Sequence, residues 1–154
     1  MRSLRFLTLM LAALSMSTTV SHLLEMPAKL AYPGPVWLLL QQTLYDNFRA
    51  LGQPVERGAL ACALALALLV RARRPALSLT LLASACLLGA QAAWWVAVAP
   101  VNATIAQYTP QALPLDWTLL RVQWEYAHAL RAVLQGSALG ALVLSVVAEQ
   151  PRRY

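Results

Sequence analysis

The sequence predicts an all-α fold: a four-helix transmembrane bundle forming one domain over residues 1–154. A short amphipathic outer helix is expected between the first two spans. Three observations carry this prediction. The 154 residues are 60% hydrophobic and only 12% charged, about half the charge of a soluble globular domain. Four apolar segments, about 4–26, 55–70, 77–101 and 126–148, each approach the roughly 20 residues that cross a hydrocarbon core. The net charge of +6 gathers on one side of those segments.

The first span carries a polar stripe, Ser15, Thr18, Thr19, His22 and Glu25, at steps of three and four that share a helix face. Pro27 is expected to end or bend it. Pro33-Gly34-Pro35 then opens residues 36–51. There Val36, Leu40, Leu44, Phe48 and Leu51 recur at helical spacing among Gln41, Gln42, Tyr45, Asp46 and Arg49. This predicts a short amphipathic helix lying on the outer surface, closed by Gly52 and Pro54. Glu56 opens the second and shortest span. Arg71-Ala72-Arg73-Arg74-Pro75 is a tight turn into the third, which carries Gln91, Trp94 and Trp95 and leaves the membrane at Pro100-Val101-Asn102. Pro114-Leu115-Asp116 starts the last helix, with Asp116 as its expected N-cap.

Charge orients the bundle. Arg2, Arg5, Arg71, Arg73, Arg74, Arg152 and Arg153 face one side with Glu149 as the one acid. The other bases, Lys29, Arg49, Arg57, Arg121 and Arg131, are balanced by Glu25, Asp46, Glu56, Asp116 and Glu125. The positive-inside rule then makes both termini cytoplasmic. Topology explains the basic balance, so nucleic acid is set aside as a partner and membrane lipid takes its place. Reading the N-terminus as a signal peptide cut near Ala13-Leu14-Ser15 would leave three spans and opposed termini, against the arginine pattern. Cys62 and Cys86 lie in different spans with no C-x-x-C, which leaves thiol–disulfide chemistry unsupported.

Two patterns mirror each other: His22-x-x-Glu25 late in the first span and Glu125-x-x-His128 early in the last. With the spans antiparallel, the two glutamates fall at one level and the two histidines, the only ones in the chain, at another. His22, His128, Glu25, Glu125 and Glu56 are therefore candidate ligands for a transition metal (Fe, Cu or Zn), in a mononuclear or partial dinuclear site. Without a metal, the same groups form a polar pocket. Arg131 and Gln135 continue the stripe inward, at a depth where ionisable groups face a cavity or bundle interior. In that metal-free alternative, Arg131 pairs with Glu25, Lys29 snorkels towards water and the histidines bond helix ends. All five tryptophans lie on the outer side. They read as an interfacial belt, with Trp94 and Trp124, together with Gln91 and Gln135, as candidate walls of a pocket for a flat apolar ligand.

His22-Leu-Leu-Glu25-Met-Pro27-Ala-Lys29, Pro100-Val101-Asn102, and the run from Asp116-Trp117 through Arg121, Trp124-Glu125 and His128 to Arg131 resemble the anthrone oxygenase-like group of small four-span membrane proteins. The resemblance covers nearly the whole chain. It implies a helical membrane bundle; the expected location is a bacterial inner membrane. It also implies, for some members, oxygenation of anthrones. It carries no established catalytic residues.

The expected function is a membrane oxidoreductase, oxygenase-like, acting on an apolar aromatic or quinone-type substrate. His22 and His128 serve as ligands or acid/base groups, Glu25 and Glu125 as co-ligands or proton acceptors, and Arg131 as an anion holder. A cofactor-free version needs only a histidine to remove a proton. The rival reading is a non-enzymatic accessory subunit of a membrane complex, with the polar stripes as inter-helix glue. Transport would need an inverted repeat or a broken helix, and neither is evident, unless the chain forms a homo-oligomer.

Overall fold

The computed structural model describes residues 1–149; Arg152 and Arg153, invoked for the charge pattern, lie outside the described residues. The chain is helical almost throughout: α1 (Arg2–Ala31), α2 (Gly34–Leu69), α3 (Arg74–Ala93), a π-helical turn (Trp94–Val98), α4 (Ala99–Ile105) and α5 (Trp117–Val147). Helix α5 packs against both α1 and α3, α1 packs against α2, and α2 against α3. The four long rods therefore close into a ring with antiparallel neighbours; short turns join α1 to α2 and α2 to α3, and a longer loop over 106–116 leads into α5.

Three helical stretches are long and apolar enough to cross a membrane: Arg2–Ala31, Arg74–Ile105 and Trp117–Val147. This is the signature of an integral membrane protein. Helix α2 is not among them; Glu56 and Arg57 interrupt the start of its apolar half. Exposed Leu24, Leu68, Leu88, Val96, Val133 and Leu144 give the outside of the bundle an apolar coat.

Two predicted helix ends do not exist. Helix α1 runs through Pro27 to Ala31, and α2 runs unbroken through Gly52 and Pro54. A proline in a helix removes one hydrogen bond and crowds the carbonyl four residues back. Here Pro27 and Leu23, and Pro54 and Ala50, all lie on exposed faces, while the opposite faces are packed. Burial of Lys29 beyond Pro27, and of Tyr45 and Glu56 on either side of Pro54, holds each helix in line. The expected surface helix over 36–51 is thus the first half of α2. Its Trp37, Leu38, Gln41 and Tyr45 are buried rather than lying on a surface.

The third rod is also longer than expected. Pro100 lies just inside it, and the turn before it widens: the Ala99 N–H bonds to the Trp94 carbonyl, five residues back. A local π-turn relieves the crowding between the Pro100 ring and the carbonyl four residues earlier. Asp116 takes the N-cap position of α5 but makes no side-chain capping bond.

The interior has two apolar layers. One is rich in alanine, including Ala12, Ala59, Ala63, Ala83 and Ala138 with Leu66, Leu87 and Leu142. Small side chains there let the helices approach closely. The other, at the opposite end, is built from Trp37, Leu38, Tyr45, Val98, Val101, Ile105, Trp124 and Ala127. A polar layer of buried Thr19, His22, Glu56, Gln91, His128, Arg131 and Gln135 belongs to neither. It contains the site.

Candidate functional site

Helix periodicity delivers the polar layer. On α1 the buried residues Ser15, Thr19, His22 and Lys29 repeat at steps of four, three and seven, one stripe along the helix. On α5, Glu125, His128, Arg131 and Gln135 are buried at steps of three, three and four. The stripes face each other because α1 and α5 are antiparallel neighbours.

The mirrored motifs bring the two imidazoles together. The His22 and His128 ring centroids lie 4.4 Å apart, the planes crossing at 69°. Trp124 lies over His128 at 3.9 Å with only 30° between planes. Tyr45 meets His22 at 4.7 Å, and Phe48 meets it at 5.9 Å. The Trp124 indole N–H donates to the Asn102 side-chain oxygen at 3.0 Å, which ties the box to α4.

This aromatic box opens into a cavity of about 430 Å³ lined from α1, α2, the π-turn, α4 and α5. His22, His128, Glu56 and Arg131 line it together with Phe48, Trp94, Val98 and Trp124. Exposed Asp46, Arg49 and Tyr108 also line it and mark its opening. The π-turn contributes Trp94 and Val98 to the wall, in keeping with the tendency of such turns to occur at functional sites.

Two charged clusters flank the histidines. In the first, Lys29 is only 1% exposed. Its Nζ lies 3.0 Å from Glu125, 3.7 Å from Glu25 and 3.4 Å from His22 Nδ1. The same ammonium sits 4.7 Å from the Trp124 ring centroid and 4.9 Å from that of Tyr45, within cation–π range. The Tyr45 hydroxyl donates to Glu25 at 2.5 Å. In the second cluster, Arg131 Nη2 donates to Glu56 at 2.6 Å and Arg131 Nε to the Ala90 carbonyl at 3.2 Å. Gln135 donates to the other Glu56 oxygen at 2.8 Å and accepts from the Thr19 hydroxyl at 2.8 Å.

These pairings correct three expectations. Arg131 pairs with Glu56, not with Glu25. Lys29 does not snorkel; it is sealed inside, since α1 continues past Pro27 and keeps Lys29 two turns from His22 on the same face. The five candidate metal ligands do not assemble either: among the described residues no three of the His, Cys, Asp and Glu side chains form a set able to hold a metal. The physical reason is visible. Lys29 occupies the space between Glu125, Glu25 and His22, and Arg131 and Gln135 take both oxygens of Glu56. A cation would have to displace an ammonium and a guanidinium, so these residues do not fit a metal centre.

Of the other sequence-derived candidates, Trp94 and Trp124 line the cavity, and Trp124 is buried rather than part of a belt; so is Trp37, while Trp95 is exposed. Gln135 stands behind Glu56. Gln91 lies elsewhere, in a separate groove with Arg57, Leu60, Leu64, Leu88 and Trp95. Glu25 and Glu125 belong to the Lys29 cluster and do not line the cavity. Sequence reasoning missed Tyr45, Phe48 and Asn102. The signal for Tyr45 was its place eleven residues, three helical turns, before Glu56, which aligns the two only if the helix continues through Pro54. Cys62 and Cys86 are unpaired.

No family model, curated protein or solved structure matches the chain.

Proposed function

We propose that the chain is a four-helix transmembrane protein of a bacterial inner membrane, with α2 as the fourth span and both termini cytoplasmic. Arg2, Arg5, Arg71, Arg73 and Arg74 gather at the end of the bundle away from the cavity, which supports that orientation. The cavity is then on the outer side. Its function is that of an oxygenase-like oxidoreductase for a flat aromatic carbon acid of the anthrone type, working without a metal.

One observation carries this reading: a pair of imidazoles in edge-to-face contact lines an aromatic-walled cavity of about 430 Å³. Such a space suits a planar ligand, and histidine suits proton abstraction. A methylene between two aromatic rings, conjugated through them with a ketone on the far side of the central ring, loses a proton to His128. The bonding pair moves onto the ketone oxygen as an enolate, near the guanidinium of Arg131. The electron-rich carbon reduces dioxygen and bonds to it, and the resulting C–O–O anion takes a proton back from His128 as a hydroperoxide that holds both oxygen atoms. Loss of the second C–H proton breaks the O–O bond, so that CH2 and O2 become C=O and H2O.

Oxygen consumption tests the reading. Purified protein in lipid nanodiscs is given anthrone, with oxygen uptake and quinone absorbance followed together. The wild type is expected to exceed protein-free nanodiscs, and His128→Ala to match them. A wild-type rate equal to the protein-free rate overturns the enzymatic reading.

The accessory reading rests on a different observation. Glu125 and Glu56 are held by Lys29 and Arg131 across helix boundaries. Those pairs bind α1 to α5 and α2 to α5 whether or not the cavity performs chemistry.

A further inference from the structure

The two histidines make different bonds through the same atom. His128 Nδ1 lies 3.0 Å from the Trp124 carbonyl. A carbonyl can only accept, so Nδ1 carries the proton, and in an uncharged ring Nε2 holds the lone pair. His22 Nδ1 lies 3.4 Å from Lys29 Nζ. An ammonium can only donate, so this Nδ1 accepts and the His22 proton sits on Nε2. Glu25 lies farther from the same nitrogen, at 3.9 Å.

We propose that Lys29 is a positioning residue that fixes His22 as the Nε2–H tautomer, opposite to His128, so that the pair offers a ligand one donor and one acceptor. Both rings line the cavity, and both Nδ1 atoms are engaged by the protein. The free nitrogens are therefore a proton-bearing Nε2 on His22 and a lone-pair Nε2 on His128. A matching ligand carries an acceptor oxygen near an acidic hydrogen, as an enolisable aryl ketone does. On deprotonation the C–H proton goes to His128 Nε2 and its electron pair enters the carbon–carbon bond. The carbonyl π pair moves onto oxygen, where His22 Nε2–H donates to the developing charge. Two identical tautomers would offer two donors or two acceptors and serve one half of this step.

Lys29 is equipped to hold this arrangement. Glu125 anchors its ammonium at 3.0 Å. The Tyr45 and Trp124 rings confine it, and the Arg121 guanidinium donates to the Tyr32 carbonyl at 2.8 Å, fixing the end of α1 just beyond Lys29. The ligand class rests on the function proposed above, but the tautomers do not.

Nitrogen-15 NMR of histidine-labelled full-length protein in nanodiscs reads the tautomers directly, with the two rings assigned from His22→Gln and His128→Gln. The wild type is expected to show His22 protonated at Nε2 and His128 at Nδ1. The charge-balanced double variant Lys29→Met/Glu125→Gln is expected to lose the pure Nε2–H signal of His22 and to leave His128 unchanged. Glu125→Gln alone, which keeps the ammonium, is expected to leave both signals as they are. The same tautomer on both rings of the wild type overturns the proposal, whether or not the variants fold. An unchanged His22 signal in a folded double variant overturns the role of Lys29. If the tautomers are as expected and anthrone is not turned over, the enzymatic reading fails and the tautomer assignment stands.

Discussion

Lys29 and Glu125 form an ion pair at 3.0 Å with both side chains almost fully sealed from solvent. Lys29 comes from the last turn of α1 and Glu125 from the upper part of α5, so the pair closes the bundle directly beside the histidines. A buried pair of this kind adds little over apolar residues of the same shape, but removing one partner strands a charge at a cost of about 3–5 kcal/mol. Lys29→Met is therefore expected to lower thermal stability in detergent sharply. Lys29→Met/Glu125→Gln should recover most of the loss, and the double-mutant cycle measures the coupling. Equal and additive losses would show that the two charges do not depend on each other.

Arg131 and His128 should separate stability from chemistry. Arg131 holds Glu56 and the Ala90 carbonyl, so Arg131→Ala leaves a buried carboxylate without its counter-charge. A loss of about 3–5 kcal/mol is expected. His128 gives up one hydrogen bond to its own helix and one stacked contact, a loss of about 1–3 kcal/mol. Thermal denaturation of both variants in the same detergent checks the order. A greater loss from His128→Ala would make the histidine a structural element first.

The histidine pair was legible in the sequence because it needs only two facts: spacing of three within each motif, and antiparallel neighbours. The polar stripes of α1 and α5 were legible for the same reason. The partners of the charges were not. Whether Arg131 meets Glu56 or Glu25 depends on how α2 sits against α5, and no spacing within one segment encodes that. Tyr45 and Phe48 were hidden by Pro54. A proline at 54 reads as a break, and only packing on both sides of it, Tyr45 before it and Glu56 after it, keeps the helix whole. Pro27 concealed the burial of Lys29 in the same way.

The far end of the bundle carries a pH-dependent staple. Glu149, just past α5, accepts from Arg5 at the start of α1 and from Arg73 in the turn before α3, the latter at 2.8 Å. Arg5, with Arg73 assisting, holds this carboxyl below the usual carboxylate range. The stabilisation is therefore present above the unfolded-state value of about 4.3 and is lost as pH falls through the lower folded-state value. Glu149→Gln is expected to melt earlier than wild type at pH 7, and the gap should close at strongly acid pH. A gap independent of pH would mean that the carboxylate charge contributes nothing.

Ligand binding tests the central claim most directly, because it needs no turnover. Wild-type protein in nanodiscs is titrated with anthrone under nitrogen, and binding is measured by calorimetry against empty nanodiscs. Saturable binding at one site per chain is expected, weakened about tenfold in His128→Leu, which keeps the ring's bulk but loses its acceptor. Heat that only follows partition into lipid, identical in wild type, His128→Leu and empty nanodiscs, would contradict a ligand site at the histidine pair.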